Sequence, residues 1–136
     1  MKALVVASEP VTGEQLRAAL PEEDSSQLEV MVIAPALHKS MLRFWISDAD
    51  EAIARAARTA RETVASLSAQ GIAGIGDTAE STLTEAVHDT LVAFPADRVI
   101  LFVHGAEDER YGEHADLREL EAQIGIPVEE HFVEAT

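Results

Sequence analysis

The stretch Arg98-Val99-Ile100-Leu101-Phe102-Val103-His104 decides the fold. Its centre is wholly apolar, bracketed by a charged and a polar residue. A short unbroken apolar run marks a strand covered on both faces, the environment of a parallel sheet. Towards the N-terminus, Ala3-Leu4-Val5-Val6-Ala7 is a second such run, and Val30-Met31-Val32-Ile33, ended by Pro35, is a third. Ile72 to Ile75 reads as a weaker, glycine-broken strand, and Val128 to Val133 as the last.

Between these runs the apolar pattern changes from a block to a stripe. Thr12-Gly13-Glu14-Gln15 reads as a capping box, in which the Thr hydroxyl meets an orphan N–H and Gln15 reaches back. Leu16, Ala19 and Leu20 give a short helix that Pro21 stops, and Pro21 to Ser26 reads as an acidic solvated loop. Ser47-Asp48-Ala49-Asp50 opens a longer helix with a cap hydroxyl and carboxylates near the positive end of its dipole. Ile53, Ala56, Ala57, Ala60, Val64 and Leu67 then line one face, with Glu51 and Arg55 paired at i,i+4 on another. Gly71 stands where a helix commonly ends in the left-handed conformation. Asp77 with Glu80 repeats the capping pattern ahead of the stripe Leu83, Val87, Leu91 and Phe94, which Pro95 closes. Leu117, Leu120 and Ile124 mark a final helix, stopped by Gly125 and Pro127.

The resulting order, β-α-β-α-β-α-β-α-β, demands a doubly wound α/β fold: a five-stranded parallel sheet with right-handed crossovers and helices on both faces. One domain spans residues 1–136, a length sufficient for its own core. In such sheets a ligand sits beyond the carboxyl ends of the strands, where the strand order reverses.

Composition removes several classes of function. With 25 acidic against 10 basic residues the net charge is −15, and a surface so negative repels a phosphate backbone, so no nucleic acid is expected. The absence of cysteine excludes a disulfide framework, a thiolate zinc site and a cysteine nucleophile. Met1 to Ala7 is too short an apolar run for a signal peptide, and no window reaches the length of a membrane span. The expectation is a cytoplasmic domain with no membrane partner.

The catalytic motifs are missing as well. No glycine-flanked serine elbow occurs, Ser8-Glu9-Pro10 lacks the glycines, and no Gly-x-x-x-x-Gly-Lys loop exists, the only lysines being Lys2 and Lys39. His38, His88, His104, His114 and His131 form no His-x-x-x-His pair, so no metal site is expected.

The five-strand alternation resembles the universal stress protein family, within the Rossmann-like adenine-nucleotide-binding α/β domains. Ala3-Leu4-Val5-Val6-Ala7 is similar to that family's first strand, and Met31-Val32-Ile33-Ala34-Pro35 to its second, which runs beside the adenine in nucleotide-binding members. Gly76-Asp77-Thr78 resembles the Gly-Asp step after the third strand, and Ala96-Asp97-Arg98-Val99-Ile100-Leu101 the run entering the fourth. Val32 to Leu37 and Phe44-Trp45-Ile46-Ser47-Asp48 resemble an actinobacterial group of such domains. The resemblance implies strand order 3-2-1-4-5, a role in the stress response and a homodimer through the last strand. Glu129, Glu130 and Glu134 oppose tight pairing there by like-charge repulsion.

The chain departs from the pattern of the nucleotide-binding members after the fourth strand. Those members carry Gly-x-x-Gly and, further on, Gly-Ser or Gly-Thr, which let backbone N–H groups approach phosphates. Here the segment reads His104-Gly105-Ala106-Glu107-Asp108-Glu109-Arg110-Tyr111-Gly112: Asp108 replaces the second glycine, and three consecutive carboxylates would face a triphosphate. The acidic residue expected directly after the first strand is displaced to Glu9 by Ser8.

The candidate binding residues are those that the fold brings to the strand ends: Ala7, Ser8, Ile33, Ala34, Gly76, Asp77, His104 and Gly105. Asp77 is either a ribose ligand or simply a helix N-cap. Arg43, Phe44 and Trp45, in the one locally basic and aromatic segment, are candidates for a lid or a partner surface. The leading expectation is an accessory or regulatory domain, not an enzyme, that binds a small ligand or a protein partner without a cofactor. The alternative is an adenine-nucleotide-binding protein, with magnesium bridging Glu107 or Asp108 to the phosphates of ATP.

Overall fold

A computed structural model describes residues 1–35, 49–79, 83–103 and 117–132. Their elements are β1 (Lys2–Ala7), α1 (Gly13–Ala19), a 3-10 turn (Ser25–Gln27), β2 (Glu29–Pro35), α2 (Ala49–Ala69), β3 (Ala73–Ala79), α3 (Leu83–Ala93), β4 (Arg98–Val103), α4 (Leu117–Ile124) and β5 (Val128–Phe132). The strands form a five-stranded sheet in the order β3-β2-β1-β4-β5, with every neighbouring pair parallel. The doubly wound fold and its strand order are therefore as expected.

The unbroken apolar runs follow from burial on both sides of the sheet. Ala3, Val5 and Ala7 of β1 join Val30, Val32, Ile100 and Phe102 under α1 and α2, where Leu16, Leu20 and Leu67 close the layer. Leu4 and Val6 point the other way, into a layer with Ile33, Val99 and Leu101 that Ala86 and Val87 of α3 and Leu120 of α4 cover. At about 1.5–3 kcal/mol for each buried large aliphatic or aromatic side chain, these two layers hold the sheet.

Local signals set the element ends. The capping box of α1 is formed as expected: Thr12 Oγ1 accepts from the Gln15 N–H at 3.1 Å, and Gln15 Oε1 from the Thr12 N–H at 2.8 Å. Gly71 and Gly125 follow α2 and α4 with φ of 77° and 74°, values that favour glycine. Among the described residues no helix is long and apolar enough to cross a membrane.

Three expectations need correction. The third strand is not Ile72 to Ile75 but a full seven residues, Ala73–Ala79, with Ile72 buried just ahead of it. Its glycines mark close packing: a Cβ on Gly76 would lie 3.0 Å from Val64 Cγ2 and 3.1 Å from the Ala60 carbonyl oxygen. Asp77 is consequently a strand residue and not a helix N-cap, since α3 begins at Leu83. The Pro21 to Ser26 loop runs into the 3-10 turn, whereas Pro35 ends β2 as expected. The expected helix cap Ser47-Asp48, Glu80, His104 and Val133 lie outside the described residues.

Candidate functional site

Strand order reverses between β1 and β4, so the crevice that a doubly wound sheet uses opens at the carboxyl ends of these two strands. Ala7 ends β1 opposite Phe102 of β4, and both are fully buried. On the other flank, Val6 pairs with Ile33 of β2. Ile33 and Ala34 are buried on opposite faces, Ile33 with the α3 layer and Ala34 with Ala56 and Ala60 of α2. The floor is thus small and apolar, and half-buried Ser8 is the first polar side chain to leave it.

Ala7, Ser8, Ile33 and Ala34 lie at or just beyond the ends of the adjacent strands β1 and β2, whereas Gly76 and Asp77 lie on β3, the next strand out. Gly76 pairs with Val32 and Asp77 with Ile33 on the outermost strand, with β2 standing between them and β1. At about 4.8 Å per strand spacing, Asp77 lies roughly 10 Å from the β1 strand axis. The Asp77 side chain is exposed, and its Oδ1 accepts from the Thr78 N–H at 2.8 Å. His104 and Gly105, and the segment holding Arg43, Phe44 and Trp45, lie outside the described residues.

The connection from β1 to α1, which walls the crevice, is pinned by a polar stripe on α2. Thr63, fully buried, accepts from the Val11 N–H at 3.1 Å, and Ser66 Oγ accepts from the Gly13 N–H at 3.0 Å. One turn further on, Arg17 Nη1 donates to Gln70 Oε1 at 3.1 Å. Thr59, also buried, continues the stripe towards the carboxyl edge. Sequence reading followed the apolar stripe of α2 and missed this second one, although Thr59, Thr63, Ser66 and Gln70 recur at helical spacing.

A cleft of about 730 Å³ opens at the amino ends of the strands, away from the crevice, between Glu14, Arg17, Glu23, Asp24 and Gln70. Hydrogen bonds from the Ser26 hydroxyl and N–H hold the Asp24 carboxyl below its usual range. Nearby, Arg98 Nη1 donates to Glu22 Oε1 at 2.6 Å, and the same guanidinium meets Glu129 of β5 through Nε at 2.6 Å and through Nη2. The Arg98 hydrogen bond lowers the Glu22 pKa, and Arg98 itself is raised, first by Glu22 and against the pull of burial. Among the described residues no group of three or more His, Asp or Glu could hold a metal ion. His88 instead meets Gln123 at 3.1 Å, and His131 packs 6.0 Å from the Phe102 ring.

No protein-family model matches the sequence. No curated protein matches it. In structure the chain is similar to a protein from the universal stress protein family from Burkholderia pseudomallei, at 15% identity and a TM-score of 0.53, over 95% of this chain and 94% of that one. At that identity the likeness is one of fold, and what it shows is a universal-stress-protein-like α/β domain.

Proposed function

We propose that this chain is an accessory or regulatory domain of the stress-protein type. It binds a small ligand or a protein partner at the carboxyl edge between β1 and β4 and does not hold ATP in the usual manner. One observation carries the reading: Gly105-Ala106-Glu107-Asp108-Glu109 stands where nucleotide-binding members place a glycine pair. A phosphate-binding loop works by exposing backbone N–H groups to an anion, and consecutive carboxylates at that place repel it. The small apolar floor of Ala7 and Ala34 supports the reading, because it suits an uncharged body and Ser8 can orient it.

In this proposal Arg43, Phe44 and Trp45 form the lid or the partner surface, and the domain works in the cytoplasm as a homodimer through β5. It performs no catalysis. The test is to denature freshly purified protein and analyse the released small molecules by chromatography and mass spectrometry. A stoichiometric compound without phosphate, or none at all, agrees with the proposal. A stoichiometric adenine nucleotide overturns it and moves the mechanism to the acidic loop.

A further inference from the structure

We infer that the outer edge of β3 takes a basic, extended segment of a partner protein as an added strand. The inference concerns a different part of the sheet from the crevice and rests on none of the reading above. β3 pairs with β2 in unbroken register from Ala73 to Ala79 and, among the described residues, with no strand on its other side. Open edges are ordinarily blunted by charge, proline or a bulge. β5, at the opposite edge, carries Glu129, Glu130 and His131, whereas β3 reads Ala-Gly-Ile-Gly-Asp-Thr-Ala with a single charge.

The two faces of β3 differ. Gly74 and Gly76 face α2 closely: a Cβ would lie 3.2 Å from Leu67 Cδ1 at Gly74 and 3.0 Å from Val64 Cγ2 at Gly76. Alternation therefore turns Ala73, Ile75 and Asp77 to the other face, where all three are exposed and Ile75 is 62% accessible. On that face Ile75 lies beside half-buried Met31, Ala73 beside exposed Glu29, and Asp77 beside Ile33. The patch is an apolar centre with the Asp77 carboxylate towards one end of β3 and the Glu29 carboxylate, one strand further in on β2, towards the other. Lys2, the β1 neighbour of Glu29, is directed over the Phe94 ring, 5.6 Å from its centroid. The Asp77 carboxylate accepts from the Thr78 N–H at 2.8 Å, and an edge strand presents alternate peptide groups away from its partner.

Charge selects the occupant. A second copy of β3 would bring another Asp77 and another Glu29 to a chain already at −15. A partner strand with an apolar residue opposite Ile75, a basic residue opposite Asp77 and a long basic side chain opposite Ala73 that extends towards Glu29 of β2 matches the charge of the patch. Backbone hydrogen bonds to the outward-facing peptide groups of β3 would supply affinity, and the alternate side chains would supply register.

The probe is a fluorescein-labelled peptide, Thr-Lys-Thr-Val-Thr-Lys-Thr, titrated with the full chain and followed by anisotropy. Saturable binding is expected, weakening as salt rises, with none for the same peptide carrying glutamate for lysine or proline for alternate threonines. Ile75→Lys, at an exposed position that leaves circular dichroism unchanged, should abolish binding, and Asp77→Asn should weaken it about threefold to tenfold. Equal binding by the Ile75→Lys variant overturns the inference, and so does a failure of the lysine peptide to bind the unmodified chain. Self-association in sedimentation that Ile75→Lys removes would assign the edge to a second copy and overturns it as well.

Discussion

Asp97 shows how a short sequence likeness acquires a physical cause. The run Ala96-Asp97-Arg98 enters β4, and Asp97 binds the backbone of Lys2 twice. Its Oδ2 accepts from the Lys2 N–H at 2.9 Å, and its own N–H donates to the Lys2 carbonyl at 2.7 Å. The pair aligns the beginnings of β1 and β4, the strands whose far ends frame the crevice. Asp97→Ala should cost about 1 kcal/mol in urea unfolding, because the exposed Lys2 N–H can turn to water. Thr63→Val should cost more, about 1–3 kcal/mol, because the buried Val11 N–H loses its acceptor in a side chain of unchanged shape. Glu22 provides a pH test. Its carboxyl is held below the usual range by Arg98, so its contribution is complete at neutral pH and is lost as the pH falls through and below that range. Acid unfolding of Glu22→Gln should therefore converge with that of the unmodified chain at low pH and differ from it only at higher pH.

Among the elements, those with strong local signals are where reading the sequence put them. β1 and β4 are legible because burial on both faces leaves an unbroken apolar run, and α1 because its cap carries both partners of the box. β3 was only half legible. Two glycines and an exposed face erase the apolar signal, and the cause of those glycines is α2, a tertiary contact invisible in a local window. The same contact yields a prediction: Gly76→Ala should destabilise the fold by about 1–3 kcal/mol, measured as a lower urea midpoint at unchanged slope. Ala60 and Val64 must yield to the new methyl, and the Ala60 carbonyl oxygen is backbone that cannot rotate away. The polar stripe on α2 escaped notice for the opposite reason. Thr63 and Ser66 are ordinary surface residues by type, and the arrival of α1 and its loop gives them their bonds.

For the whole molecule, topology locates the crevice and sets the candidate residues on different strands around it. Ala7, Ser8, Ile33 and Ala34 meet at the β1–β2 ends, while Asp77 stands on the outermost strand with its own exposed face. A sequence shows which residues end strands, and strand order in space decides which of them are neighbours. The central proposal is that the crevice of this stress-protein-like fold does not hold ATP. Calorimetric titration of the purified chain with ATP in the presence of magnesium tests it most directly. The account predicts no saturable heat into the millimolar range, because in the proposed reading the consecutive carboxylates Glu107, Asp108 and Glu109 replace phosphate-binding glycines. Stoichiometric, magnesium-dependent binding in the micromolar range would contradict it.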